Sequence, residues 1–334
     1  MTAQTVVGLE IAQSHVRAVE VAPGATPRVV AWGEVPLPEG VAEDSEVIDA
    51  AALTLALDQL WVRSRISHKK VVLGLASRRI LVREYATPLT SRTAIMQSLP
   101  FEVQDVLPVP VDQAVLDFYA IDHVDSLVRG LVVAAIAEPI DELLRVLERS
   151  RIVAASVDLT AFALARIAPA VAAPGETVAL LHIGEHTTTV TIVQDGVPRF
   201  VRTLPAEIPA SAPVVIENEW IGAAVGDGAT RAELRAGRTA VLAPADETPD
   251  LVQRVRSTLQ FYAARSGAAP VERVLVSGAG SLHPGVLPAL AAALDQSIDR
   301  VPIDRLAVFP GEPPEPRRAA DFVSTIGLTI GGER

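Results

Sequence analysis

The chain has 334 residues, 49% hydrophobic and 21% charged, which excludes a disordered polymer and leaves room for two domains or one large one. Its 29 basic and 40 acidic residues give a net charge of -11, unsuited to a phosphate backbone, so no nucleic-acid partner is expected. The absence of cysteine excludes disulfides, thiolate zinc sites and a cysteine nucleophile.

The chain opens without a basic n-region and carries Glu10 early, so this stretch does not read as a signal peptide. Three strands are expected: the apolar run from Val6 to Ile11, then alternating segments at 16–21 and 28–35, the last around Trp32. A helix follows with Ile48, Leu53, Leu57, Leu60 and Trp61 on one face and Asp44, Glu46 and Asp49 near its positive end. Residues 69–151 read as an α+β unit inserted into the first half. Its strands are at 70–76 and 80–85, then a helix at 91–106, strands at 114–121 and 129–137, and a helix opening at Pro139. Residues 153–159 return to the main sheet.

The opening outline recurs as strands at 178–183, 188–193 and 197–204. Laid over the first copy, Glu10 falls on His182, Ala12 on Gly184, and Pro27-Arg28 on Pro198-Arg199. Residues 205–249 are rich in Ala, Pro and Gly. Asp250 is the expected N-cap of a helix striped by Leu251, Val255, Leu259 and Tyr262. A strand at 271–276 ends in Ser277-Gly278-Ala279-Gly280-Ser281. The longest uncharged run, 274–294, is broken by Gly278, Gly280, Pro284, Gly285 and Pro288, so no membrane span is expected and the protein reads as cytoplasmic. Residues 309–318 read as a Pro-rich loop and 319–330 as a closing helix.

Two loops have the makings of an anion site: Ala12, Gln13 and Ser14 in the first hairpin turn, and Gly184, Thr187 and Thr188 in the second. In such turns backbone N–H groups and hydroxyls converge. The glycines of the 277–281 turn allow close backbone approach by a base or ribose. Each feature also has a plainer reading. Glu10 and His182 serve equally as polar turn residues, Arg17 as a strand-edge charge, and Thr187, Thr188 and Thr189 as ordinary strand residues. His15 and His186 read as exposed turn residues, and no histidine spacing suits zinc, so no metal ligand and no catalytic residue is assigned. Phe101, Leu107, Val109 and Phe118 either line a groove or pack the insert's own core.

The order of elements, the duplicated hairpin and the late Ser-Gly-Ala-Gly turn resemble the actin-like ATPase superfamily. Within it the insert resembles the type IV pilus assembly protein PilM family. The residues that carry the resemblance are Leu99-Pro100-Phe101-Glu102, Leu107-Pro108-Val109-Pro110 with Asp112, Gly8-Leu9-Glu10-Ile11 with Ser14, Val16 and Arg17, Leu259-Gln260-Phe261-Tyr262, and Ser277-Gly278-Ala279-Gly280. The resemblance implies an α/β fold of two actin-like halves, 1–175 and 176–334, with the insert in the first and a reduced or rebuilt segment at 205–249 in the second.

The resemblance also implies an ATP cleft formed by Glu10, Ala12, Gln13, Ser14, Arg17, His182, Gly184, Thr187, Thr188, Gly278, Ala279, Gly280 and Ser281. The superfamily places an Asp in each turn to orient magnesium-bound water. Glu10 is one methylene longer and His182 lacks the charge, so Mg²⁺ is poorly served and the cleft reads as degenerate or only regulatory. Ala12 stands where the family usually has Gly, at a cost of about 1 kcal/mol if φ is positive there. The implied role is a cytoplasmic platform protein that binds the N-terminal tail of the inner-membrane protein PilN between the first-half core and the insert. Leu99, Phe101, Leu107 and Val109 are the expected peptide contacts, and other pilus platform proteins are further expected partners. An actin-fold ATPase or sugar kinase, a filament or division protein, and a related secretion-platform component stay open as alternatives.

Overall fold

The computed structural model describes residues 5–107, 109–184, 186–205, 208, 248–265, 267–311 and 313–331. The segment expected to be reduced, 205–249, lies outside the described residues except at Pro205, Ile208, Thr248 and Pro249.

The first sheet is built from β1 (Val6–Ile11), β2 (His15–Ala22), β3 (Arg28–Pro36), β6 (Lys70–Leu75) and β10 (Val153–Leu159), in the order β10-β6-β1-β2-β3. A two-residue ladder, β4 (Ala42–Glu43) with β5 (Glu46–Val47), precedes α1 (Ala50–Ser64). Asp49 caps α1 by accepting from Ala51 N at 2.9 Å and Ala52 N at 3.0 Å, and Arg65 ends it in the left-handed region. Leu53, Leu57, Leu60 and Trp61 pack on the sheet as expected. Ile48 does not: it precedes the cap and is 57% exposed.

The inserted unit is narrower than the expected 69–151. β6 pairs in parallel with β1 and β10, and α3 (Ala137–Arg149) buries Leu143, Val146 and Leu147 in the first sheet's core. What remains is β7 (Leu81–Pro88), α2 (Arg92–Val103), β8 (Ala114–Val124) and β9 (Leu127–Ile136), an antiparallel sheet in the order β7-β9-β8. One face of it is closed by α2 through Ile95, Leu99 and Val103 against Phe118, Val128 and Val132. The other face sets Leu131, with Val82, Tyr119 and Ile121, against Ala161, Phe162 and Val201.

After α4 (Thr160–Val171) the second sheet repeats the first: β11 (Thr177–Ile183), β12 (Thr187–Gln194), β13 (Val197–Pro205), β14 (Arg273–Ser277) and β15 (Ser297–Arg300), in the order β13-β12-β11-β14-β15. Glu10 pairs with Arg17 on one side and Gly74 on the other, and His182 correspondingly with Thr189 and Ser277. The expected match of Pro27-Arg28 to Pro198-Arg199 fails. Ala22 pairs with Arg28 and its counterpart Gln194 with Val197, because the second hairpin turn is shorter.

Helices α5 (Thr248–Ala263) and α6 (Val286–Ala293) cover the outer face of the second sheet. Asp250 lies within the first turn of α5 and pairs with Arg254, so it is not the N-cap. A short α7 (Ile303–Leu306) precedes α8 (Pro316–Thr329), which opens on a proline in place of the expected residue 319. Among the described residues no helix is long and apolar enough to cross a membrane.

Between the two sheets α4 and α8 cross, each packed on the sheet of the other half: α8 against β1 and β2, α4 against β12 and β13. One core joins Val19, Val21 and Val29 of the first sheet to Leu164, Phe322 and Ile326 of the helices and to Val178, Leu180 and Leu275 of the second. The crossing is tight at Gly327, where an added Cβ would lie 2.4 Å from the Ala163 carbonyl oxygen. Mid-helix Gly→Ala ordinarily gains up to ~1 kcal/mol, but here overpacking of about 1–3 kcal/mol opposes it and wins. Gly327→Ala is therefore expected to lower the thermal midpoint by several degrees while Gly24→Ala, at an open turn, leaves it unchanged. Equal midpoints for the two variants would mean that the crossing has slack.

Candidate functional site

Successive residues of β1 point to opposite faces. Val7, Leu9 and Ile11 enter the outer core, which leaves Gly8 and Glu10 facing the central helices. The same alternation in β11 sends Leu181 and Ile183 outward and His182 inward. Each hairpin turn is closed by one backbone bond, Ala12 N to His15 O and Gly184 N to Thr187 O, both 2.9 Å. Between the turns lies a cleft lined by Glu10, Ala12, Gln13 and Arg17 on one side and His182, Gly184, His186 and Thr187 on the other, with Asp44, Ser45, Thr160 and Asp321 among its other walls.

The polar groups at its floor are bonded to one another. Glu10 accepts from Thr160 Oγ1 at 3.2 Å, Ser324 Oγ at 2.9 Å and Thr325 Oγ1 at 2.5 Å. Arg17 lies between Glu34 at 3.6 Å and Asp321 at 3.4 Å. The other oxygen of Asp321 accepts from Ala279 N at 2.7 Å. His182 Nδ1 lies 3.0 Å from Ser277 Oγ. Burial holds the His182 imidazole below its ordinary pKa and outweighs the opposing pull of Glu10 and Asp321.

Of the expected cleft residues, Ser14 turns to His15 Nδ1 at 2.6 Å and Thr188 is buried within β12. Gly278, Ala279, Gly280 and Ser281 do not line the cleft. Gly278 has φ +83°, and a Cβ there would lie 2.3 Å from Ile183 O, so the close backbone approach at this turn is made by β11 itself. Ala12 is not among the residues of positive φ, so the alanine carries no strain. Of the expected peptide contacts, Leu99 is corrected to a core residue of the insert, 1% exposed. Phe101, two positions on, is 77% exposed, and Leu107 and Val109 are half-buried. Helix α2 packs on the insert's own sheet, so it does not form the junction with the first half; Leu75, Ile80, Ala135, Ile136, Pro139 and Ile140 line that junction.

Sequence reading missed Asp44, Ser45, Thr160, Asp321, Ser324 and Thr325. A signal was available for the last three: Asp321, Ser324 and Thr325 stand in a largely apolar closing-helix run, where each must be satisfied if buried.

Magnesium in such a fold needs oxygen ligands and several waters. Both Glu10 oxygens are already engaged, His182 is neutral, and Asp321 is held by Arg17 and a backbone N–H. The residues do not fit Mg²⁺. The cleft is also narrow, about 90 Å³ against roughly 300–1,000 Å³ for small-molecule sites. A nucleotide needs a more open arrangement of the two turns.

A family model described as type IV pilus assembly protein PilM matches residues 8–205. A solved PilM-PilN type IV pilus biogenesis complex contains a chain 22% identical to this one, with a TM-score of 0.79 over 99% of both chains. A Bacteroides thetaiotaomicron protein of actin-like ATPase fold and unknown function is 9% identical, with a TM-score of 0.53 over 98% of this chain and 96% of that one. The cytoplasmic domain of EpsL, an inner-membrane component of the type II secretion system of Vibrio cholerae, is also 9% identical, with a TM-score of 0.50 over 98% and 95%. The fold is the α/β, actin-like one expected from the sequence.

The depressed pKa of His182 has a signed consequence. Below the ordinary value of 6.5 the unfolded chain takes a proton that the folded state resists, so folding stability falls as pH drops from 6.5. The added slope is at most about 1.4 kcal/mol per pH unit. Urea unfolding between neutral pH and pH 5 is expected to show that slope in the parent and to lose it in His182→Asn. Parallel curves for the two proteins would refute the assignment.

Proposed function

Because the chain belongs to the type IV pilus assembly protein PilM family, we propose that it is a platform protein of type IV pilus assembly that captures the N-terminal cytoplasmic tail of a PilN-type inner-membrane protein. The observation that carries this reading is the family match over residues 8–205, which spans the first sheet, the insert and the second hairpin. The likeness over the whole chain to a chain of a solved PilM-PilN complex supports it. On this reading the protein works in the cytoplasm, peripheral to the inner membrane through its partner, beside other platform proteins. Its two halves divide near residue 175.

The proposed tail surface starts at the junction of first half and insert, lined by Ile80, Ala135, Ile136, Pro139 and Ile140. The pairing of Ala114 with Ile136 brings the end of the 109–113 loop to that junction. The proposal extends this surface along the chain to Val109 and Leu107, with Phe101 exposed on α2. Charge favours the same partner. A short cytoplasmic tail ahead of a membrane span is typically rich in Lys and Arg, and this chain carries -11.

The cleft between the hairpin turns is proposed as a structural or regulatory feature without catalysis. Both Glu10 oxygens are held by hydroxyls, and His182 presents an imidazole paired with Ser277 where a second carboxylate would stand, so the cleft offers Mg²⁺ few oxygen ligands in this arrangement. An ATP molecule bound there would favour an opened pair of turns, and would change tail affinity only through the difference between the two states.

Calorimetric titration with a synthetic tail peptide is expected to give saturable binding that weakens as salt rises. Val109→Glu should reduce the affinity about tenfold or more, the scale of a burial loss of ~1.4 kcal/mol. A folded protein that gives no binding heat with or without MgATP would overturn the tail-capture reading. Full affinity in folded Val109→Glu would remove that residue from the surface.

A further inference from the structure

The roomiest cavity described is remote from both sites above. It lies between the inner face of the insert and the second half, and holds about 420 Å³, within the ~300–1,000 Å³ range of small-molecule sites. Strands β7, β8 and β9 supply Glu84, Asp122 and Arg129; β13 supplies Arg199; the end of α5 and the loop behind it supply Tyr262, Arg265 and the small residues Gly267 to Ala269.

Three guanidinium groups from separate segments converge here on two carboxylates. Arg129 takes Asp122 in two bonds, at 2.8 and 3.0 Å, and Arg265 pairs with Glu84 while lying over the rings of Phe200 and Tyr262. Arg199 reaches only the oxygen of Asp122 that Arg129 already holds, at 3.3 Å, and its Nε is buried without an acceptor. A buried N–H left unmet costs about 1–3 kcal/mol, and the cavity carries one positive charge in excess on a chain of net charge -11. Long-range attraction to anions is therefore weak, and selectivity has to come from local contacts. The arginine fork suits the planar or tetrahedral oxygens of a carboxylate or phosphate.

We propose that this cavity binds a small organic oxyanion, whose oxygens are taken by Arg199 and Arg129 and whose less polar part lies toward Tyr262 and the 267–269 backbone. The ligand bridges the insert to the second half, across an interface otherwise held by the Asp122–Arg199 and Glu84–Arg265 pairs and the apolar contact of Leu131 with Val201. Its binding would thus bias how the insert sits on the rest of the molecule.

The test uses two probes titrated into the full chain: citrate for carboxylates, and ADP without metal for phosphates. The expected result is saturable binding of at least one probe, weakened tenfold or more by Arg199→Gln and by Arg129→Gln, and unchanged by the cleft variant Thr187→Val. Which probe binds assigns the class of oxyanion. Arg129 is 55% exposed, so Arg129→Gln carries the test if Arg199→Gln fails to fold by circular dichroism. Three outcomes overturn the proposal: no saturation by either probe at millimolar concentration, equal affinity in parent and both arginine variants, or binding lost in Thr187→Val and kept in the arginine variants.

Discussion

A carboxylate buried on the inner face of β1, at the floor of the cleft, must be met largely by other groups of the protein, and much of the arrangement follows from how Glu10 is met. Leaving such a charge unpaired costs several kcal/mol. Its three hydroxyl donors come from the start of α4 and the middle of α8. Satisfying one side chain therefore sets the depth and rotation of both central helices. Arg17, its ladder partner on β2, extends the chain of contacts: it holds Asp321 on α8, and Asp321 holds the backbone of the glycine turn behind β14. One line of polar contacts thus runs from the first sheet through a helix to the second.

The longer strands were legible as short apolar or alternating runs bounded by turn residues, whereas the two-residue β4 and β5 and the polar β15 carry no such pattern. The duplication was legible because the relation between Glu10 and His182 survives in their pairing partners. The edge of the insert was not. A strand that joins the main sheet and one that joins the insert look alike locally, and parallel pairing of β6 with β1 is a contact between distant residues. Glu10 was identified, but its role was hidden for the same reason, its donors lying 150, 314 and 315 positions away. The glycine turn misled because a ligand and a neighbouring strand both require the missing Cβ at Gly278. Leu99 and Phe101 cannot line one groove, because residues two apart on a helix do not share a face. One is core and the other surface.

The two hairpin turns, related by duplication, have diverged in their chemistry. The first carries a charge fully occupied in holding helices; the second carries an imidazole kept neutral by burial. An actin-like cleft in which each turn has a structural task retains the shape of the fold while its polar groups are turned inward. Two further cavities lie at the insert's junctions, one with the first half and one with the second.

The crossing of α4 and α8 bears on how the molecule is made. Helix α4, encoded in the first half, has its main partner in a sheet not yet synthesised when it leaves the ribosome. The first sheet in turn waits for α8, fourteen residues near the end of the described chain, to cover its inner face. Each half closes its outer core with its own helices, but neither can finish the central core alone, so the inner faces of both sheets stay open until α4 and α8 are in place. Docking α8 on the first sheet and α4 on the second completes this shared core from both sides.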